Sequence, residues 1–332
     1  MREFQIQKNE AGQHFDKYLK KLLADAPGSF IYKMLRKKNI TLNGKKADGT
    51  EQLAAGDAVK LFLSDETFLK FAKKEPESGV YDRMKRLKPL PVVYEDEDIL
   101  VVNKPSGMLS QKSAEGDISA NEHILGYLLR EGDVTEEMLA VFRPSICNRL
   151  DRNTSGLLTA GKTLKGLQEL SRAFRERTVL KYYRCIVKGE IAESSHLKGW
   201  LLKDEDKNQV QVVEVLPGTF DADRFLPIET EYRPVRAEGG YTELEVHLIT
   251  GRSHQIRAHL ASIGHPVVGD VKYGDRRVNE RFRKELQIKS QMLHAYRMVF
   301  PAENFSVRQI TAPCGAEFER FWNYVTMSTS RR

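Results

Sequence analysis

Apolar positions recur along this chain in two periods, and the change of period predicts its elements. Phe15, Tyr18, Leu19, Leu22 and Leu23 lie three and four apart, as on one face of a helix, and Ile31, Met34 and Leu35 repeat the pattern after Ser29, a candidate N-cap. Ile40-Thr41-Leu42 then reads as a strand, Asn43-Gly44 as a hairpin turn and Lys45-Lys46 as a basic return. Ile99 to Val102 is a short apolar run between an acidic turn and Asn103-Lys104-Pro105-Ser106-Gly107, which predicts a buried strand entering a tight turn. Leu164, Leu167, Leu170 and Phe174 predict a helix over 164–177, with Lys165, Arg172, Arg175 and Arg177 directed outward. Val179 to Gly189 is rich in β-formers, and strand alternation sends Tyr182 and Tyr183 to opposite faces. Phe318, Phe321, Trp322 and Val325 return to helical spacing and predict a closing helix.

Between these patterns lies a polar stretch, residues 72–91, punctuated by Pro76, Gly79, Pro89 and Pro91. It predicts a linker over 76–91, a small domain over 1–75 and a larger one over 92–326. The chain of 332 residues is 40% hydrophobic and 30% charged, within the range of globular domains and outside that of disordered ones. The N-terminus has no apolar core of a signal segment and no run reaches the roughly 18 apolar residues of a membrane span, so a cytoplasmic location and no membrane partner are expected. Cys147, Cys185 and Cys314 are far apart and odd in number, against a disulfide framework or a thiolate metal site. The net charge of +7 is unevenly placed. Residues 1–88 hold 19 Lys and Arg against 12 Asp and Glu, whereas the remaining 244 hold 34 of each. An excess of that kind fits a polyanion, with Lys33, Arg36, Lys37, Lys38, Lys45 and Lys46 as candidate phosphate contacts.

Candidate chemistry centres on Asp151. It stands between Arg149 and Arg152 on a short polar segment closed by Gly156, where opposite charges favour the ionised carboxylate of a nucleophile or base. A helix cap or a structural ion pair is the alternative for an isolated Arg-x-Asp-Arg. His254, His259 and His265 invite a metal reading. Spacings of five and six put them on different helix faces, and no Glu lies between His254 and His259, so no metal is expected. No dinucleotide or P-loop glycine pattern is present, and no cofactor is expected.

The run Asn148-Arg149-Leu150-Asp151-Arg152-Asn153-Thr154-Ser155-Gly156-Leu157-Leu158 resembles the active-site motif of the RluA family of pseudouridine synthases, His-Arg-Leu-Asp-x-x-Thr-Ser-Gly-Leu-Leu, with Asn148 in place of the usual His. Lys104-Pro105, Lys181-x-Tyr183 and Thr250-Gly251-Arg252-Ser253-His254-Gln255-Ile256-Arg257-Ala258-His259 resemble that family's other motifs in order, and residues 12–63 resemble an S4 RNA-binding domain. The resemblance implies an α+β fold, a mixed and largely antiparallel sheet with strands near 99–102, 183–187 and 242–249, behind a small S4-like αβ domain. It implies isomerisation of uridine to pseudouridine in RNA, favouring large-subunit ribosomal RNA over tRNA or a non-catalytic binding role, by a monomer. Asp151 would be the catalytic carboxylate, Arg257 its salt-bridge partner, and Tyr183 the ring against the uracil. Ile256 would line the pocket, Lys104 would support the catalytic loop, and Arg149, Arg252 and His254 would contact substrate. Arg149 would enter the space left by a flipped base.

Overall fold

A computed structural model describes residues 1–72, 79–204, 209–213 and 225–330. In chain order the elements are β1 (Arg2–Gln5), α1 (Phe15–Leu22), α2 (Gly28–Arg36), β2 (Ile40–Leu42), β3 (Lys45–Lys46), β4 (Ala58–Leu61), α3 (Asp65–Phe71), α4 (Val80–Lys85), β5 (Val92–Glu95), β6 (Ile99–Lys104), α5 (Ala120–Glu131), α6 (Met138–Val141) and β7 (Ser145–Ile146). There follow β8 (Ser155–Gly161), α7 (Leu164–Arg175), β9 (Leu180–Lys188), β10 (Ser195–Asp204), β11 (Gln209–Val213), β12 (Phe225–Glu238), β13 (Tyr241–Leu248), α8 (Gln255–Ser262), α9 (Arg276–Leu286), β14 (Leu293–Val299), β15 (Gln309–Thr311) and α10 (Ala316–Thr329).

Two compact units emerge, one of Met1–Val101, Ala114–Asn148 and Thr159–Arg172, the other of Val102–Ser113, Arg149–Leu158 and Ala173–Arg332. In the first, a four-stranded sheet of order β1-β4-β2-β3 is packed by α1 and α2 through Phe15, Tyr18, Leu19, Leu22, Ile31 and Leu35, the positions that the helical spacing singled out. Asn43 and Gly44 both take positive φ, 52° and 72°, as a primed hairpin turn demands. Ser29 is not the cap of α2. The helix begins at Gly28 behind the extended Pro27 and has no side-chain cap, so Ser29 lies inside its first turn.

Val141 of α6 belongs to this same core, and the backbone N–H of Leu164 bonds the carbonyl of Asn9 at 3.0 Å. The unit is therefore built from chain on both sides of the expected boundary at residue 91. Within the expected linker, residues 73–78 lie outside the described residues, but Val80–Lys85 is helical and packs on α5 with Met84 buried. Polar composition shows only the solvated faces of such a helix; one apolar side chain is enough to anchor it.

In the second unit the strand order is β11-β10-β12-β13-β9-β14-β8-β6, with β15 on β14. Among the described pairings all but one are antiparallel; β14 and β8 run parallel through His294↔Ser155 and Ala295↔Gly156. The expected strands are present, β6 and β9 longer than expected and β13 shifted by one residue, the α+β class and largely antiparallel sheet are as the resemblance implies, and α10 docks by Phe318, Phe321, Trp322 and Val325. Gly156 has φ +116°, and a Cβ there would lie 2.3 Å from the Ala295 carbonyl oxygen. The motif's glycine is thus fixed by the close approach of β14, directly after the Asp151 loop.

Candidate active site

Asp151 sits on the loop that leads into β8, and the backbone of that loop is tied down one residue at a time. The Ser110 hydroxyl donates to the Leu150 carbonyl at 2.8 Å and accepts from the Leu150 N–H at 3.0 Å, so both polar groups of the residue before Asp151 are held by one side chain. Thr154 N–H donates back to the Asp151 carbonyl at 3.0 Å, which closes the turn. Ser106 donates to the carbonyl of Asn153, and Arg152 Nε donates to that of Gly107. Beneath them Lys104 is fully buried, and its ammonium donates to the carbonyls of Met108, Pro105 and Arg152 at 2.8, 3.0 and 3.2 Å. Burial lowers its pKa to about 8, against the opposing pull of the Asp151 charge. The supporting role expected of Lys104 has a concrete form: three N–H bonds that fix the catalytic loop to the turn after β6.

Arg257, on α8, meets Asp151 from the other side. Its Nη1 donates to Asp151 Oδ2 at 2.8 Å, while Nε and Nη2 grip both oxygens of Asp270 at 2.6 and 2.8 Å. The Arg257 side chain is 5% exposed, Asp270 0% and Asp151 26%. One buried cation therefore serves two carboxylates, of which only Asp151 can be reached from solvent. Asp270 is held in turn by the backbone N–H groups of Lys272 and Tyr273, and the Tyr273 ring lies 5.2 Å from the guanidinium carbon. The two acids push the pKa of Arg257 up against the burial that would lower it, so the guanidinium stays charged.

The loop before α8 is positioned by Gln255. Its amide oxygen accepts from Thr250 Oγ1 and Arg252 N, and its amide nitrogen donates to the Glu229 carbonyl and Thr230 Oγ1. His254 caps α8 in the left-handed region at φ 58°. Tyr273 OH accepts from Val210 N–H at 2.9 Å and lies 3.0 Å from His254 Nδ1. Burial lowers the pKa of His254, in part against the charge of Asp151.

Tyr183 is buried on β9, and burial together with the Asp151 charge raises its pKa, so the phenol keeps its proton. Tyr182 alternates to the other face, as predicted, where it stacks on His247 at 4.8 Å beneath the Arg297 guanidinium in a cavity of about 570 Å3. Asp151 thus shares its surroundings with Lys104, Tyr183, His254, Arg257 and Tyr273, each of which feels its charge. Ile256 is buried beside Arg257 on α8; Arg149 and Arg252 are exposed and form no ion pair among the described residues. Asn148, at the position where the resemblance expects His, accepts from Thr159 N–H and Oγ1 at 2.8 and 2.9 Å and so braces the start of the loop. Lys33, Arg36, Lys37, Lys38, Lys45 and Lys46 are all exposed in the first unit.

Sequence reasoning gave no role to Asp270, Tyr273 or Ser110. Asp270 follows Arg257 by thirteen residues, and nothing in that spacing ties its carboxylate to the guanidinium.

Known proteins are similar to this chain over most of its length. The family model described as RNA pseudouridylate synthase matches residues 98–262. A ribosomal large subunit pseudouridine synthase C of Vibrio vulnificus is 33% identical over 95% of this chain and 93% of that protein, and one of Vibrio cholerae is 32% identical over 95% and 94%. The solved structure of human RNA Pseudouridylate Synthase Domain Containing 4 shares the fold with a TM-score of 0.55 at 18% identity, over 74% of this chain and 95% of that one. The chain belongs to the RNA pseudouridylate synthase family. It is an RNA pseudouridine synthase, an isomerase whose substrate is RNA.

Proposed function

We propose that this enzyme converts one or more uridines of large-subunit ribosomal RNA to pseudouridine, with Asp151 as the group that acts on the nucleotide. The observation that carries the role of Asp151 is its asymmetry with Asp270: both are ionic partners of Arg257, but one is 26% exposed and the other 0%. Asp151 initiates the break of the N-glycosidic bond, the uracil turns against Tyr183, and carbon 5 is joined to the ribose as its hydrogen passes to solvent and N1 takes up a proton, so the composition of the nucleotide is unchanged. Arg257 keeps Asp151 ionised when the substrate excludes water. A uridine inside a helix is out of reach, so Arg149, exposed and without an ion pair among the described residues, enters the space left when the base turns out. Arg252 and His254 flank the nucleotide from the loop before α8.

Residues 1–75 act as an S4-like module whose exposed Lys33, Arg36, Lys37, Lys38, Lys45 and Lys46 hold RNA phosphates. The ribosomal target rests on the relatives, whose names specify the large subunit. The enzyme acts as a monomer in this reading.

The test is a map of pseudouridines in ribosomal and transfer RNA from cells with the gene, without it, and with only the Asp151→Asn form. Sites in large-subunit RNA that vanish on deletion and are not restored by Asp151→Asn support the reading. Restoration by that variant, or loss confined to tRNA, overturns it.

A further inference from the structure

Two cations near the site have no acid to answer them. Lys181 lies two residues before Tyr183 on β9 and so on the same face of the sheet, about 7 Å along the strand. Its side chain is partly buried, yet its amine has no hydrogen bond or ion pair among the described residues. Beside it stands Gly251, in the loop before α8: a Cβ at that glycine would lie 3.5 Å from Lys181 Nζ, and the absence of a side chain leaves that side of the amine open. Arg177 is near enough to repel it, is itself exposed at φ 60°, and is likewise unpaired among the described residues. The exposed, unpaired Arg252 follows Gly251 directly. Burial and the Arg177 charge lower the pKa of Lys181. Elsewhere in this unit partly buried cations are answered: Arg184 by Glu243, Arg257 by Asp151 and Asp270, Arg297 by Glu245. Leaving one cation unanswered beside another costs free energy in the empty protein that a bound anion would recover.

We propose that Lys181 and Arg177, with Arg252 across the Gly251 gap, form a phosphate-binding site that takes one backbone phosphate of the RNA next to the nucleotide under Tyr183. A phosphate fits better than a carboxylate or a base because Lys181 and Arg177 stand together, Arg252 follows the glycine beside them, and an RNA strand delivers such an anion at every nucleotide spacing. This site orients the strand so that the target sugar meets Asp151; it rests on the reading that uridine turns over in this cleft.

The experiment uses the full chain and the RNA segment that carries the mapped uridine, made as a set of oligonucleotides in which one phosphate at a time is an uncharged methylphosphonate. Binding is measured apart from turnover. For the unaltered protein one substitution weakens binding by about tenfold, the size of a lost charge-assisted hydrogen bond. Lys181→Met binds the unmodified segment about tenfold less tightly and shows no further loss at that phosphate. Lys181→Arg restores binding, and Arg177→Gln gives a smaller loss at the same phosphate. If Lys181→Met is poorly folded by thermal melting, the Lys181→Arg and Arg177→Gln arms decide. The proposal fails if the variants respond to every methylphosphonate as the unaltered protein does, or if they lower kcat with binding unchanged. Absence of turnover by the unaltered protein on that RNA would instead count against the proposed function, since the binding arm stands without it.

Discussion

Arg257 gives two of its three carboxylate bonds to Asp270 and one to Asp151. The buried acid fixes the guanidinium plane, and the remaining N–H is left aimed at the acid that can meet substrate. A single Arg–Asp pair would leave the guanidinium free to rotate about its long side chain. Here rotation would break a bidentate pair at zero exposure.

Asp270→Asn should therefore impair catalysis although Asp270 is itself sealed from substrate. Loss of one partner of a buried ion pair costs about 3–5 kcal/mol of stability, and kcat should fall by about 10^2-fold as Arg257 loses its orientation. Asp151→Asn should abolish turnover with little loss of stability, because Asp270 still answers Arg257. Chemical denaturation and single-turnover tritium release on both variants check the contrast; equal stability losses would show that Asp270 holds no special place in the cluster.

His259 should make the fold acid-sensitive. Buried on α8 with Nδ1 3.1 Å from Thr230 Oγ1, its pKa is lowered by burial from 6.5 to about 4. The folded protein holds the ring neutral while the unfolded chain takes up a proton below 6.5. Its contribution is complete above pH 6.5 and is lost as pH falls toward 4, by about 3 kcal/mol in all. Urea titrations of the unaltered protein and His259→Gln between pH 7 and 4 should converge on the acid side; parallel curves would remove His259 as the cause.

Lys104 should have the opposite signature, at alkaline pH. Its folded pKa of about 8 lies below the ordinary 10.5, so the cost of burying the charged amine is carried in full below pH 8 and relieved as pH rises toward 10.5. Relative to Lys104→Met, the unaltered protein should gain up to about 3 kcal/mol over that window. The variant should also turn over more slowly at pH 7, since the carbonyls of Pro105, Met108 and Arg152 lose their common donor. A stability difference that does not change with pH would refute the assignment.

Charge reversal at Lys33, Arg36, Lys37 and Lys38 should weaken RNA binding and flatten its salt dependence, by about 0.7 to 0.9 in log–log slope for each phosphate no longer neutralised, with the maximal rate unchanged. The full chain is the right background, because Val141 of α6 is part of the core behind those residues and removal of the N-terminal segment would expose it. An unchanged slope would show that this face does not hold the RNA.

Much of the molecule was legible in the sequence wherever the signal is local. The helical spacing of Phe15 to Leu23 and of Phe318 to Val325, the Asn43-Gly44 turn and the Tyr182/Tyr183 alternation depend on neighbours within a few residues, and each appears as read. The resemblance of three motifs likewise brought Asp151, Tyr183 and Arg257 forward, and the fold places them together. Only tertiary structure decided what lies between those motifs. Asp270 became the principal partner of Arg257 because the turn after α8 returns its carboxylate to the same guanidinium, and periodicity carries no trace of such a return. Ser110 acquired its duty from the backbone N–H and carbonyl of Leu150, groups that nearly every residue has and no sequence distinguishes. The expected linker became in part a helix, and Val141 joined the N-terminal core, because burial is settled by long-range packing and composition reports only an average over the surfaces it produces.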